Sequence, residues 1–492
     1  MAGIRGWGWR LGQSSVPVWI VSLTIAGSVR TAGGETEGPL VLREETRGGG
    51  TTRVQIELKA QGLFRPGLPP GGASAEATMP KPLGLEIQTR LVFSERIVQV
   101  GRDDRVRPES NGHLNTVANE DPAGSRSLKV VRHVLQAASA INGEVRPTSA
   151  SIRPEVALLV AERRDRDGPV VVVSPAGPLT RAELELVQGL GDPLAVADLL
   201  PEQPVAVGQR WRVRTAGAFA LSGYDVVTAN NLEATLESAD LARARIRLKG
   251  EIRGGVLGGA GTMTCEGSLT FDRQAARIDQ LDLNRSETRQ PGPVEAGLEV
   301  KSTLTMTRHA AEPSSGLSDA ALAGISLEVS PRRELLRMTA PGGKSTLVHD
   351  RHWHTFWEDP RLTVLKRLEG GQVIAQCNLM VGPAAGKGRH QDPTQFRDDI
   401  RRGLKQRFVQ FLGAGEVEGD PVGGFRYKVG VQGREGDLGV VWYYYLIAGP
   451  EGDQLLATFT LAQDHMKTFG GQDLEMVGSL QWLSASRSQT GR

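Results

Sequence analysis

The sequence predicts an α+β protein in two unlike parts: an antiparallel β-rich N-terminal domain over residues 36–310 and a helix-covered sheet over 325–484. Three observations carry this. Apolar and polar residues alternate with period two from about Gly261 to Ala310, as in strands buried on one face. Phe396, Ile400, Leu404, Phe408 and Leu412 recur every four residues, the stripe of an amphipathic helix. Aromatic residues make up only 5% of the chain and crowd into its last third, beyond a small-residue stretch at 311–324 that reads as the linker.

The chain begins with Arg5 and Arg10, then an apolar run from Val16 to Val29 with Ala26 and Ser28 placed for cleavage after Ser28. This is the pattern of a secretory signal, so residues 1–28 are expected to be removed on export to a periplasmic or extracellular space. A retained anchor is the competing reading. After signal removal the protein is expected to be peripheral to the membrane at most. The 58 basic and 56 acidic residues leave a net charge of +2, too little to hold nucleic acid. Cys265 and Cys377 lie in alternating stretches and read as buried small residues.

In order along the chain, residues 39–65 suggest a hairpin around Gly48 to Gly50, and 83–100 another strand. The stretch 127–200 reads as more helical; within it Thr180 and Glu183 have capping-box spacing. Leu269 and Phe271, then Ile278, Leu281 and Leu283, then Val300, Leu304 and Met306 mark three strands of a meander. One arrangement this permits is an open half-barrel with the 127–190 helices inside it. An apolar cavity between those helices and the 215–309 sheet would mark a lipid carrier.

In the second part, Asp392 and Pro393 open a helix expected to run about five turns. Strands at 425–431 and over "VVWYYYLIAGPEGDQLLATFTLA" follow, the latter turning at Gly449 to Asp453. Leu474, Val477 and Leu480 stand on a closing helix. Residues 485–492 read as a disordered tail.

The order of "RHWHTFWEDPRLTVLKRLEGGQVIAQCNL", the long helix, "WYYYLIAGPEGDQLLATFTL" and a last helix resembles the PsbP-like α/β sandwich, a group that includes exported bacterial proteins of unknown function. The run "LLPEQPVAVGQRWRV", 199–213, resembles the "LPxxPVxxGxxW" phrase of uncharacterised exported bacterial β-rich domains. These resemblances imply a non-enzymatic binding or scaffolding role, with an unknown protein or a small apolar ligand as partner.

Two places invite chemistry. "VHDRHWHTFWEDP", 348–360, holds three of the eight histidines. His349, His352 and His354 could ligate an ion, giving a metal-dependent hydrolase as the rival function. On a strand, however, Trp353 and Trp357 would anchor one face and leave His352 and His354 on the wet one, half of a coordination shell. The preferred reading is no metal and no cofactor. Trp442 and Tyr444 share a strand face and, if exposed, would form a ligand platform; under a helix they would be core. "APGGKSTL", 340–347, lacks the first glycine of a phosphate loop and reads as a tight turn. No GxSxG elbow is present.

Overall fold

The computed structural model describes residues 38–45, 50–65, 81–102, 126–142, 144–145, 151–164, 168–312, 314–417 and 424–483. The proposed signal peptide, residues 46–49 of the expected first hairpin, and the 485–492 tail lie outside these. Of the described residues, most are antiparallel strand, arranged in open sheets.

The first sheet is built from β1 (Thr51–Arg65), β2 (Leu83–Arg102), β3 (Arg126–Ile141), β4 (Glu144–Val145), β5 (Leu158–Arg163) and β6 (Val171–Val173). After α1 (Arg181–Val187) and α2 (Pro193–Val196) it continues with β7 (Arg210–Arg212). Next come α3 (Thr215–Ser222), β8 (Val226–Asn230), β9 (Glu233–Ala239), β10 (Arg243–Val256), β11 (Gly259–Asp272), β12 (Arg277–Arg289) and β13 (Gly297–Ala310). The spatial order is β6-β5-β3-β2-β1-β13-β12-β11-β10-β9-β7, with β4 beside β3 and β8 beside β10. One contiguous core joins Val172 on β6 to Ala234 on β9 through Leu184, Leu194 and Leu221 of the three helices. Strands so far apart in an open sheet share a core only because the sheet curves around those helices. Thr180 and Glu183 form the capping box that starts α1.

Three expectations fail here, each for a local reason. β1 pairs with β13 and β2, so it forms no hairpin with 40–45; Leu40 bridges Val205 instead. Within the stretch read as helical, Arg126–Ile141 and Leu158–Arg163 are strand. A bulge at Leu135 between β2 and β3 skips one residue of the ladder, which leaves Val130, Val134 and Ala137 on the core side at a spacing that imitates a helix. The supposed linker docks on the sheet: Leu317 is buried, and Arg96 donates to its carbonyl (2.8 Å) and pairs with Asp319 (2.6 Å) at the start of α4 (Asp319–Leu322).

The remainder begins with α5 (Pro331–Glu334), β14 (Leu336–Thr339), β15 (Ser345–His349), β16 (Trp353–Glu358), β17 (Leu362–Glu369) and β18 (Gln372–Val381). It ends with α6 (Pro393–Leu404), β19 (Phe408–Glu416), β20 (Phe425–Glu435), β21 (Leu438–Ala448), β22 (Gln454–Ala462), α7 (Met466–Phe469), α8 (Gln472–Gly478) and β23 (Gln481–Trp482). Seven strands run β16-β17-β18-β22-β21-β20-β19, and β14-β15-β23 form a small separate sheet. Phe396, Ile400 and Leu404 of α6 cover one face of the seven. Phe469, Met476 and Val477 cover the other. The 340–347 run is the turn between β14 and β15, with Gly342 and Gly343 at positive φ (84° and 71°) where a side chain would be strained.

α6 stops three turns in, capped at its start by Asp392. Lys405 takes φ 50°, and the chain continues as the edge strand β19, which carries two bulges against β20. Leu412, skipped by the second bulge, faces solvent, whereas Phe408 packs against the core beneath α6. Leu474 is 43% exposed on α8; Met476 takes the core place expected for it.

Pro39–Arg492 form one compact unit. Arg181 of α1 donates to the carbonyls of Arg351 (2.5 Å) and Trp353 (2.9 Å). The hairpin tips at Leu257–Gly258 and Gly370–Gly371 meet so closely that a Cβ on Gly258 would lie 2.2 Å from the Gly371 carbonyl oxygen.

Candidate functional site

The histidines fall on three different settings. His349 ends β15 and is buried; its Nδ1 donates to the Asp350 carbonyl (2.7 Å). His352 sits in the turn, where hydrogen bonding to the Asp350 carboxylate raises its pKa. His354 lies on β16, and burial, together with Arg181, His352 and His349, pushes it down to about 4. Burial lowers His349 as well. Burial thus favours the neutral imidazoles of His349 and His354, and the Arg181 guanidinium beside them opposes further positive charge. Among the described residues no group of three His, Cys, Asp or Glu side chains stands close enough to hold a metal ion. Trp353 is 1% exposed and meets Phe459 and Phe469 edge-on at 6.0 and 6.4 Å. Trp357 does not share that core: a bulge between Thr355 and Trp357 turns it outward, 42% exposed.

The aromatic platform is likewise closed. Trp442 is 5% exposed and packs with the partly buried Tyr444 beneath the buried stripe of α6, the covered one of the two arrangements the sequence allows. Cys265 and Cys377 are free and buried.

A broad concavity lies elsewhere, as a trough of about 860 Å³ crossing six strands of the first sheet. Its geometry follows from period two and register. From each strand it takes one inward residue and the two outward ones flanking it. The inward belt is Ile87, Ala60, Ser302, Arg285, Cys265 and Gly250, direct cross-strand partners throughout. Their outward neighbours form two parallel walls. One runs Gln88, Lys59, Thr303, Asn284, Glu266 and Lys249; the other runs Glu86, Gln61, Lys301, Ser286, Thr264 and Glu251. All are exposed except the half-buried Glu251, which places the trough on the solvent face. Six strands at about 4.8 Å spacing give a length of about 24 Å.

The belt beneath is small at Ala60, Ser302, Cys265 and Gly250. Ile87 and Arg285 are its larger members, and Arg285 is held inward by the Met263 sulfur (3.0 Å) and Glu287 (3.4 Å). Glu266 is tied to Arg247 and to Lys249 (3.2 Å), which holds its carboxyl below the usual range. Among the described residues, the side chains of Gln61, Thr264, Asn284, Ser286, Lys301 and Thr303 are engaged by no hydrogen bond or ion pair.

A second pocket of about 660 Å³ opens between α1, α2 and α3, with Val170, Leu190, Ala195, Phe219 and Ala220 on its walls. Beneath it runs a buried charge network: Arg132 holds Asp192 by two hydrogen bonds of 2.7 Å and Glu95 by one of 2.8 Å, and Arg163 meets Asp198.

Sequence reasoning missed the trough, whereas an apolar cavity beside the helices was among its expectations for a carrier. The wall residues are the polar half of the alternation, and only the register brings them side by side.

No protein-family model matches the chain, and no curated protein does. Among solved structures it is similar to a protein from Bacteroides thetaiotaomicron VPI-5482 at 10% identity and TM-score 0.23, over 30% of this chain and 48% of that one. It is similar to cyanobacterial PsbP from Synechocystis sp. PCC 6803 at 11% and 0.25, over 30% and 93%. It is also similar to lipovitellin at 8% and 0.27, over 55% and 26%. The chain therefore spans less than half of the first of these. Likenesses this distant concern the fold alone.

Proposed function

We propose that this is an exported, non-enzymatic binding or scaffolding protein of a bacterial-type cell envelope, with the trough across β2, β1, β13, β12, β11 and β10 as its ligand site. The observation that carries the reading is the pair of walls in register, six side chains each, with most of their polar groups unengaged. Export rests on the charged, apolar and small-residue order of residues 1–28. The part over 325–484 is a PsbP-like sandwich in this reading. Its support is the seven-stranded sheet with α6 on one face and α7 and α8 on the other.

A second reading, a carrier of a small apolar ligand, draws on the pocket lined by Leu190, Ala195 and Phe219. A hydrolase centred on the histidines is the weakest, because Arg181 stands against them. Native mass spectrometry of the protein from its envelope fraction separates these. A bound molecule lost in Ser286→Trp but kept in Ala220→Trp supports the trough, and the reverse supports the carrier. Bound zinc lost on changing His352 and His354 to Gln would restore the hydrolase.

A further inference from the structure

We propose that the trough takes a neutral, hydroxyl-rich chain, a linear oligosaccharide lying across the strands; this rests on the trough being the binding site proposed above. Four features select that class.

The trough crosses interior strands whose backbone groups are consumed by their own neighbours. An extended peptide therefore has no free ladder to join, as it would at a sheet edge. Recognition falls to the side chains of the walls.

Those side chains balance. Lys59, Lys249 and Lys301 stand against Glu86, Glu251 and Glu266, and Arg285 beneath them is paired with Glu287, so the site has no net field to draw in a polyanion or a polycation. Neither wall contains an aromatic or large aliphatic residue, and an acyl chain laid there would meet methylene stems while desolvating the charged and amide ends of the same side chains.

What remains is hydrogen bonding of both senses at short intervals. Gln61 and Asn284 each offer a donor and an acceptor, and Ser286, Thr264 and Thr303 offer hydroxyls that do either. A sugar hydroxyl also donates and accepts, so a chain of them finds partners on both walls along the whole trough. The length of about 24 Å suits a chain of several sugars rather than one.

The test is calorimetric titration of the full mature protein with three neutral hexasaccharides (maltohexaose, cellohexaose and N-acetylchitohexaose), with hexagalacturonate and hexalysine as charged controls. At least one neutral chain should bind, with an affinity unchanged by added salt, since no net charge is neutralised. The double variant Gln61→Ala/Asn284→Ala should weaken it about tenfold, the scale of two lost hydrogen bonds. Ser286→Trp should abolish it. All three positions are on the surface, and an unchanged melting temperature confirms folding. Binding of a charged chain instead, blocked by Ser286→Trp, would keep the site and overturn the sugar. Binding of a neutral chain undiminished by Ser286→Trp would overturn the trough itself. Failure of all three neutral chains to bind the folded protein would overturn the sugar assignment.

Discussion

Acidification should weaken the fold through His354, and the size of the effect follows from its surroundings. Burial and the positive charge of Arg181 hold this imidazole at about 4 in the folded chain, against 6.5 when free. The unfolded state therefore binds the proton first as pH falls. Stability from this group is unaffected above about pH 6.5, declines between there and about pH 4, and is constant below. At about pH 5 the free imidazole is almost fully protonated and the folded one about a tenth so, a difference of about 2 kcal/mol before solvent screening and about 1–2 kcal/mol after it. His349, lowered by burial, acts in the same sense. His352 acts in the opposite one: its pKa is raised by Asp350, so its contribution is present at low pH and lost as pH rises through the folded value. Comparing wild type with His354→Gln cancels these neighbours to first order. Urea denaturation of both at about pH 7.5 and pH 5 should show the wild type losing about 1–2 kcal/mol more than the variant. Equal losses would mean that His354 titrates normally and that Arg181 does not press on it.

Trp353→Ala should cost about 3–5 kcal/mol in the same assay, the price of a large buried aromatic, because the indole fills the space between Phe459 and Phe469. Arg132→Met should cost about 3–5 kcal/mol by leaving Asp192 buried without its cation and Glu95 with only the more distant Arg308 (3.6 Å); adding Glu95→Gln and Asp192→Asn should recover part of it, and no recovery would show that the arginine acts by packing alone. Intact-mass measurement of secreted protein should give a chain starting at Val29, and one starting at Met1 would refute cleavage.

Legibility followed the ladder. Where pairing is regular, as at Leu269, Leu304 and Met306, alternation in the sequence marked the buried face. Where a bulge intervenes it misled, because one skipped residue converts a spacing of two into three or four. Leu135 and Trp357 are such places, and they account for the false helix at 127–141 and the misplaced indole. Turns and caps were readable because their chemistry is local: Thr180 with Glu183, Asp392 with Pro393, and Gly342 with Gly343. The trough was hidden for the opposite reason. Lys59 and Thr303 are neighbours only through a register set by the whole sheet, and Arg132 meets Glu95 and Asp192 from three separate elements.

The two bulges of β19 also bear on how copies of this chain behave toward each other. "FVQFLG", 408–413, is an uncharged, proline-free segment of strong strand formers on an edge with open backbone groups, the makings of a template for another chain. Each bulge breaks the even spacing of those groups and twists the strand, so an incoming strand cannot match more than two or three successive bonds. The irregularity at the start of β19 thus also works against pairing with another copy along this edge.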